Sequence, residues 1–189
     1  GKDSVYETDV FAGIMRAIGE LCGARYGQDA ATTRAMRIVA DHIRCATFIL
    51  GDQRGVTPSN VDQGYVLRRL IRRSVRFGMQ LGIQQGGLGH VAKAVVDQYG
   101  GVYPELLENR DSIMRELSLE EERFANTITH GLKEFDKLVS RLRGSVIEGP
   151  DAFRLYDTYG FPLELTVELA NERNLMVNEA GFDESFKKH

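Results

Sequence analysis

Apolar residues recur every three or four positions along most of the chain, the interval that gathers them on one face of a helix. Thr8 or Asp9 can cap a first helix carrying Val10, Phe11, Ile14, Ile18 and Leu21, with Gly23 just past its end. A longer helix starts near Ala31; Met36, Val39, Ala40, Ile43, Ala46 and Leu50 keep the interval until Gly51 stops it. A polar loop over 51–64 holds Pro58, Ser59 and Asn60, and a third helix is predicted over 65–80. Glycines at 82, 86, 87 and 89 form a joint before a short helix over 91–99. Gly100 and Gly101 break the chain again, and Pro104 suits a helix start. Beyond it Leu117, Phe124, Ile128, Leu132, Phe135, Val139 and Leu142 share one side. Ser118 with Glu121 resembles a capping box, which leaves open whether 104–142 is one helix or two.

The texture changes after Gly144. Val146–Ile147 and Met176–Val177 are short apolar pairs that suit a small two-stranded ribbon, and two short helices opening at Pro150 and Pro162 lie between them. The expected fold is therefore all-α: a bundle-like helical domain over 9–144, then a small C-terminal α subdomain over 145–189 with the ribbon. Residues 1–8 read as a linker. The chain opens on Gly1 rather than methionine and stops inside an amphipathic stretch, so it reads as a piece cut from a longer protein.

Composition narrows the class. With 42% apolar residues, a chain of 189 can bury a core. No apolar run approaches the roughly 18 residues that a membrane span needs, so a soluble, cytoplasmic protein is expected. Two cysteines, Cys22 and Cys45, in a chain with no secretory leader argue against a disulfide framework.

The formal charge of −3 hides an uneven distribution. Residues 68–76 hold five arginines and no acid, whereas 104–122 hold seven acids against Arg110 and Arg115. At about 100° per residue, Arg68, Arg69, Arg72, Arg73 and Arg76 fall within about 140° of the helix circumference. Val66, Leu67, Leu70, Ser74 and Phe77 lie opposite. Two accounts stay open. Acids from elsewhere, the 104–122 segment first, can neutralise the stripe; or its planar guanidiniums bind phosphates. A stripe of this kind does not by itself separate RNA from DNA or from an anionic membrane. It also fits a helical scaffold that docks an acidic protein. Sequence-specific DNA binding is the weakest reading, because five arginines leave few positions to read bases.

Longer motifs favour one reading. The stretch RIVADHIRCATFILGDQRGVTPSNVDQGYVLRRLIRRSVRFGMQLGI (37–83) resembles the segment that follows the catalytic domain of alanyl-tRNA synthetases. The stretch DAFRLYDTYGFPLELTVELANERNLMVNEAGF (151–182) is similar to the second signature of that family, and the opening GKDSVYETDVF to its linker after the last active-site motif. The resemblance implies that the class II catalytic core, with its ATP and Mg, lies upstream and a zinc-bearing editing domain downstream. This chain would then be the helical middle region that grips the acceptor stem of the alanine tRNA. It would need no cofactor of its own, be inactive alone, and bind neither DNA nor membrane. Its other partners would be the parent's catalytic and editing domains.

In that family, specificity rests on a G·U wobble pair in the acceptor stem, approached by an asparagine of a P-S-N loop and an aspartate of a D-T-Y-G-F motif. The matching residues are Asn60 and Asp157, with Arg68, Arg69, Arg72, Arg73 and Arg76 as phosphate ligands. The chemistry is sensible on its own. A-form RNA offers a wide, shallow minor groove, where a wobble pair leaves guanine's amine unpaired. A carboxylate only accepts, whereas a carboxamide both donates and accepts. Plainer roles exist for each: Asn60 as turn chemistry or a cap, Asp157 as the close of a helix. Tyr65, Tyr156 and Tyr159 suit a core more than base stacking. Asp41 or Arg44 is placed to hold the arginine helix, and His42 reads as structural. Phe77 stands where the family often has histidine, and QQGGLGH at 84–90 is unusually glycine-rich; neither is expected to touch the proposed contacts. Four scattered histidines and two cysteines suggest no metal site and no catalytic set.

Overall fold

The periodic stretches become helices. A computed structural model describes residues 2–189. Helix α1 (Asp9–Cys22) starts after Thr8 and ends on Gly23, whose φ of 66° closes it with a left-handed turn. Asp29 caps α2 (Ala30–Gly51), accepting the Thr32 N–H at 2.7 Å and the Thr32 hydroxyl at 2.8 Å. Those bonds hold its carboxyl below the usual range. Then come α3 (Asp62–Gln80), α4 (Gly87–Tyr99), α5 (Pro104–Glu108) and α6 (Arg110–Arg141). Strand β1 (Val146–Ile147), α7 (Gly149–Tyr159), α8 (Leu163–Asn171), β2 (Met176–Val177) and α9 (Glu179–Lys188) complete the order. The all-α expectation with a small ribbon holds.

The 104–142 stretch is two helices, but the break falls at Asn109, not at Ser118. Glu121 cannot complete a local capping box because its Oε1 accepts the backbone N–H of Gly86, 2.9 Å away at the start of α4. Asn109 instead donates from Nδ2 to the Gly51 carbonyl at 2.9 Å, satisfying the end of α2.

The described residues form two compact units, one ending at Arg123 and one spanning Phe124–His189; α6 runs through the division. In the first, α2 packs against α1, α3, α4 and α5. Ile14, Ile18, Met36, Ile43, Leu67 and Ile71 are fully buried there. Tyr99 ties α4 to α1 by donating its hydroxyl to the Val10 carbonyl at 2.7 Å.

In the second unit β1 and β2 pair in parallel, Val146 opposite Met176 and Ile147 opposite Val177. Parallel strands need a crossover, and α7 and α8 supply it. Phe124, Phe135, Phe161 and Ile147 are its buried centre. Gly149 lets α7 meet α9: a Cβ there would stand 2.0 Å from the Gly181 carbonyl carbon, a backbone atom that cannot swing aside.

Candidate nucleic-acid interface

The site begins with the loop before α3. Ser59 folds it: its N–H donates to the Gly64 carbonyl at 3.1 Å, and its Oγ donates to the Val61 carbonyl at 3.0 Å. Gly64 permits this closure, since a Cβ would sit 2.2 Å from Ser59 Oγ and 2.6 Å from the Thr57 carbonyl. The loop therefore lies against the first turn of α3, with Asn60 exposed at its edge. Arg68, two turns along α3, donates from one terminal nitrogen to Asn60 Oδ1 and from the other to the Pro58 carbonyl at 3.4 Å.

The arginine stripe is not the open surface that its helical wheel suggests. All five arginines are half-buried rather than exposed. Glu120 of α6, with 0% of its surface exposed, accepts from Arg72 Nε at 2.7 Å and pairs with Arg68 Nε at 3.2 Å. The acidic segment thus does neutralise part of the stripe, through Glu120. Arg73 is held differently. Its Nη1 lies 2.6 Å from His42 Nε2. Because a guanidinium only donates, His42 accepts there, keeps its proton on Nδ1 and donates to Asp41 Oδ2 at 2.9 Å. His42 thus ties α2 to the arginine helix. Asp41 acts only through it, and Arg44 turns away to the Tyr99 hydroxyl at 3.2 Å.

Phe77 belongs to this arrangement as well. Its buried ring has the guanidinium carbons of Arg76, Arg34 and Arg73 at 4.7, 5.0 and 5.5 Å from its centre, within cation–π range. Arg69 lies 6.0 Å from the ring centre of Tyr65. The expectation that Phe77 stands apart from the arginine contacts is therefore wrong: α3 places it one residue after Arg76, and α2 brings Arg34 within reach of its ring.

Beside this cluster opens a cavity of about 630 Å³ at the start of α2, with Arg34, Arg37, Arg73, Asp29, Thr33 and Ile38 on its walls. The Tyr26 hydroxyl holds Arg37, accepting from Nε at 2.8 Å and from Nη2 at 2.6 Å.

The profile of the family described as tRNA synthetases class II (A) matches residues 1–189. The chain belongs to that family. The alanine–tRNA ligase of Treponema pallidum is 53% identical over 192 residues, covering 100% of this chain and 32% of that protein. That of Borrelia hermsii is 48% identical, covering 100% of the chain and 32% of the protein. That of Dehalococcoides mccartyi is 46% identical, covering 96% and 21%. The chain thus spans about a third of the length of the first two relatives. The expected kinship with a segment of the alanyl-tRNA synthetases is borne out.

Within this family segment the two polar residues singled out by sequence lie in different units, Asn60 in the first and Asp157 near the end of α7 in the second. Asp157 is about half exposed, and its Oδ1 lies 3.5 Å from His189 Nε2. Tyr156 is half-buried and packs against Phe182 and Phe186, with ring centres 5.6 and 5.5 Å away. Arg34 and Arg37 were not singled out by sequence; only their one-turn spacing on α2 hinted at them. Among the described residues no three His, Cys, Asp or Glu side chains gather to hold a metal. No helix of those residues is long and apolar enough to cross a membrane.

Proposed function

We propose that the chain is the acceptor-stem-binding part of an alanine–tRNA ligase, working in the cytoplasm beside catalytic and editing domains that lie outside it. The observation that carries this reading is an exposed asparagine, Asn60, fastened to an arginine-rich helix inside a segment of that family. The partner is the alanine tRNA. Asn60 and Asp157 each read the G·U wobble pair through the minor groove, where the guanine amine is unpaired and a carboxylate can accept it. Arg69, Arg73 and Arg76, joined by Arg34, take backbone phosphates. Arg68 and Arg72 contribute less, because Glu120 already occupies them. Alone, the chain is not expected to join alanine to tRNA.

The test is a titration of the chain with an RNA hairpin carrying G·U at the third pair, against one carrying G·C. The wobble hairpin is expected to bind more tightly, and Asn60→Ala or Asp157→Ala to equalise the two. Equal affinities for the unaltered chain would overturn the specificity reading. Binding that excess hairpin fails to compete away from an acidic protein would favour a scaffold instead.

A further inference from the structure

The five arginines of α3 are not equivalent as phosphate ligands, and the geometry separates one of them. Arg68 spans two fixed points. On one side its Nε pairs with Glu120, a carboxylate with no exposed surface. On the other, its terminal nitrogens reach Asn60 Oδ1 and the Pro58 carbonyl, both in the loop before α3. The side chain is only 18% exposed. A phosphate would have to displace these partners to be bound there.

The pairing with Arg68 also decides which end of Asn60 faces a ligand. A guanidinium has five donors and no acceptor, so the atom it meets must be the carboxamide oxygen. With Oδ1 engaged, the donor end remains: Nδ2 gives no hydrogen bond to any other group among the described residues. Asn60 itself is exposed. We infer that Arg68 is a positioning residue for Asn60, braced by Glu120, and that it turns the carboxamide so that Asn60 presents a hydrogen-bond donor. The base-pair part of this inference rests on the reading under Proposed function; the positioning part does not. The ligand atom that Asn60 takes is then an acceptor of the minor-groove edge, a base carbonyl or ring nitrogen or a ribose oxygen.

Two measurements separate the parts. The first needs no RNA. The Asn60 side-chain amide is followed by nitrogen-15 relaxation in the whole chain and in Arg68→Lys, which keeps the charge for Glu120 but lacks the fork that reaches both partners. The amide is expected to be ordered in the unaltered chain and to lose that order in R68K, with helicity and melting otherwise kept. An Asn60 amide equally ordered in both would overturn the positioning role.

The second uses the wobble and Watson–Crick hairpins. Asn60→Asp leaves an oxygen for Arg68 but removes the donor, and R68K loosens the amide. Each is expected to reduce the wobble preference about tenfold, the size of one hydrogen bond, while affinity for the G·C hairpin changes less than about twofold. If N60D keeps the full preference, the donor assignment is wrong. If R68K instead weakens both hairpins equally and flattens the salt dependence, Arg68 is a phosphate ligand. If the first measurement holds while the unaltered chain prefers neither hairpin, positioning stands and the wobble reading fails.

Discussion

Arg72 Nε lies 2.7 Å from Glu120 Oε1, and that carboxylate has no surface open to solvent. Arg68 and, at 4.0 Å, Arg123 share the same acid. Glu120 therefore helps to fasten α3 to α6, and its removal would take a buried counter-charge away from two half-buried guanidiniums.

Replacing Glu120 with alanine should cost about 3–5 kcal/mol, the usual penalty for stranding half of a buried ion pair. Chemical unfolding followed by far-ultraviolet circular dichroism measures it. A loss below about 1 kcal/mol would mean that water already screens this cluster.

The arginines should divide by what holds them. Arg73→Ala and Arg34→Ala remove cations from the cavity wall beside α2. Each is expected to weaken both hairpins alike and to reduce the log–log salt slope by about 0.7 to 0.9 for every phosphate that is no longer neutralised. Arg72→Ala, whose guanidinium serves Glu120, should lower stability and change the slope less than either of these. Titrations at four or so salt concentrations distinguish these outcomes, and a uniform slope change across all three variants would refute the division.

Glu121 predicts a pH dependence. Burial pushes its carboxyl above the ordinary range, while the Gly86 and Leu88 backbone N–H groups pull the other way without overcoming it. Between the ordinary value and the raised one, the folded chain holds more protons than the unfolded chain. Stability from this group is thus complete at low pH and declines as pH rises through the folded value. Glu121→Gln should remove that decline while keeping an oxygen for Gly86. Melting curves across the carboxylate range test it: the gap between the variant and the parent chain should move in the variant's favour as pH rises. A constant gap would mean that Glu121 titrates normally.

Much of the helical framework was legible from residue order alone, because helix formation is governed by neighbours three and four positions apart and by caps at the ends. The apolar intervals of α1, α2 and α3, the stop at Gly23 and the apolar pairs of the ribbon all carry local signals. So did the family, since motifs are strings. The candidate site was legible only in part. Asn60 could be picked out, yet nothing near it in sequence says that Arg68 holds its oxygen rather than a phosphate.

What sequence order determined was which residues could share a face: the arginine arc on α3, the apolar stripe on α2, the short turns around α7 and α8. Tertiary structure decided what each cation met. Glu120 lies 48 positions from Arg72, and Gly86 lies 35 from Glu121, so the carboxylate that neutralises and the carboxylate that caps are chosen by distance through the fold. The same holds for Arg34 above Phe77. A charge is settled by the partner it reaches in a poorly solvated interior, and that partner cannot be read from the residues on either side of it in the chain.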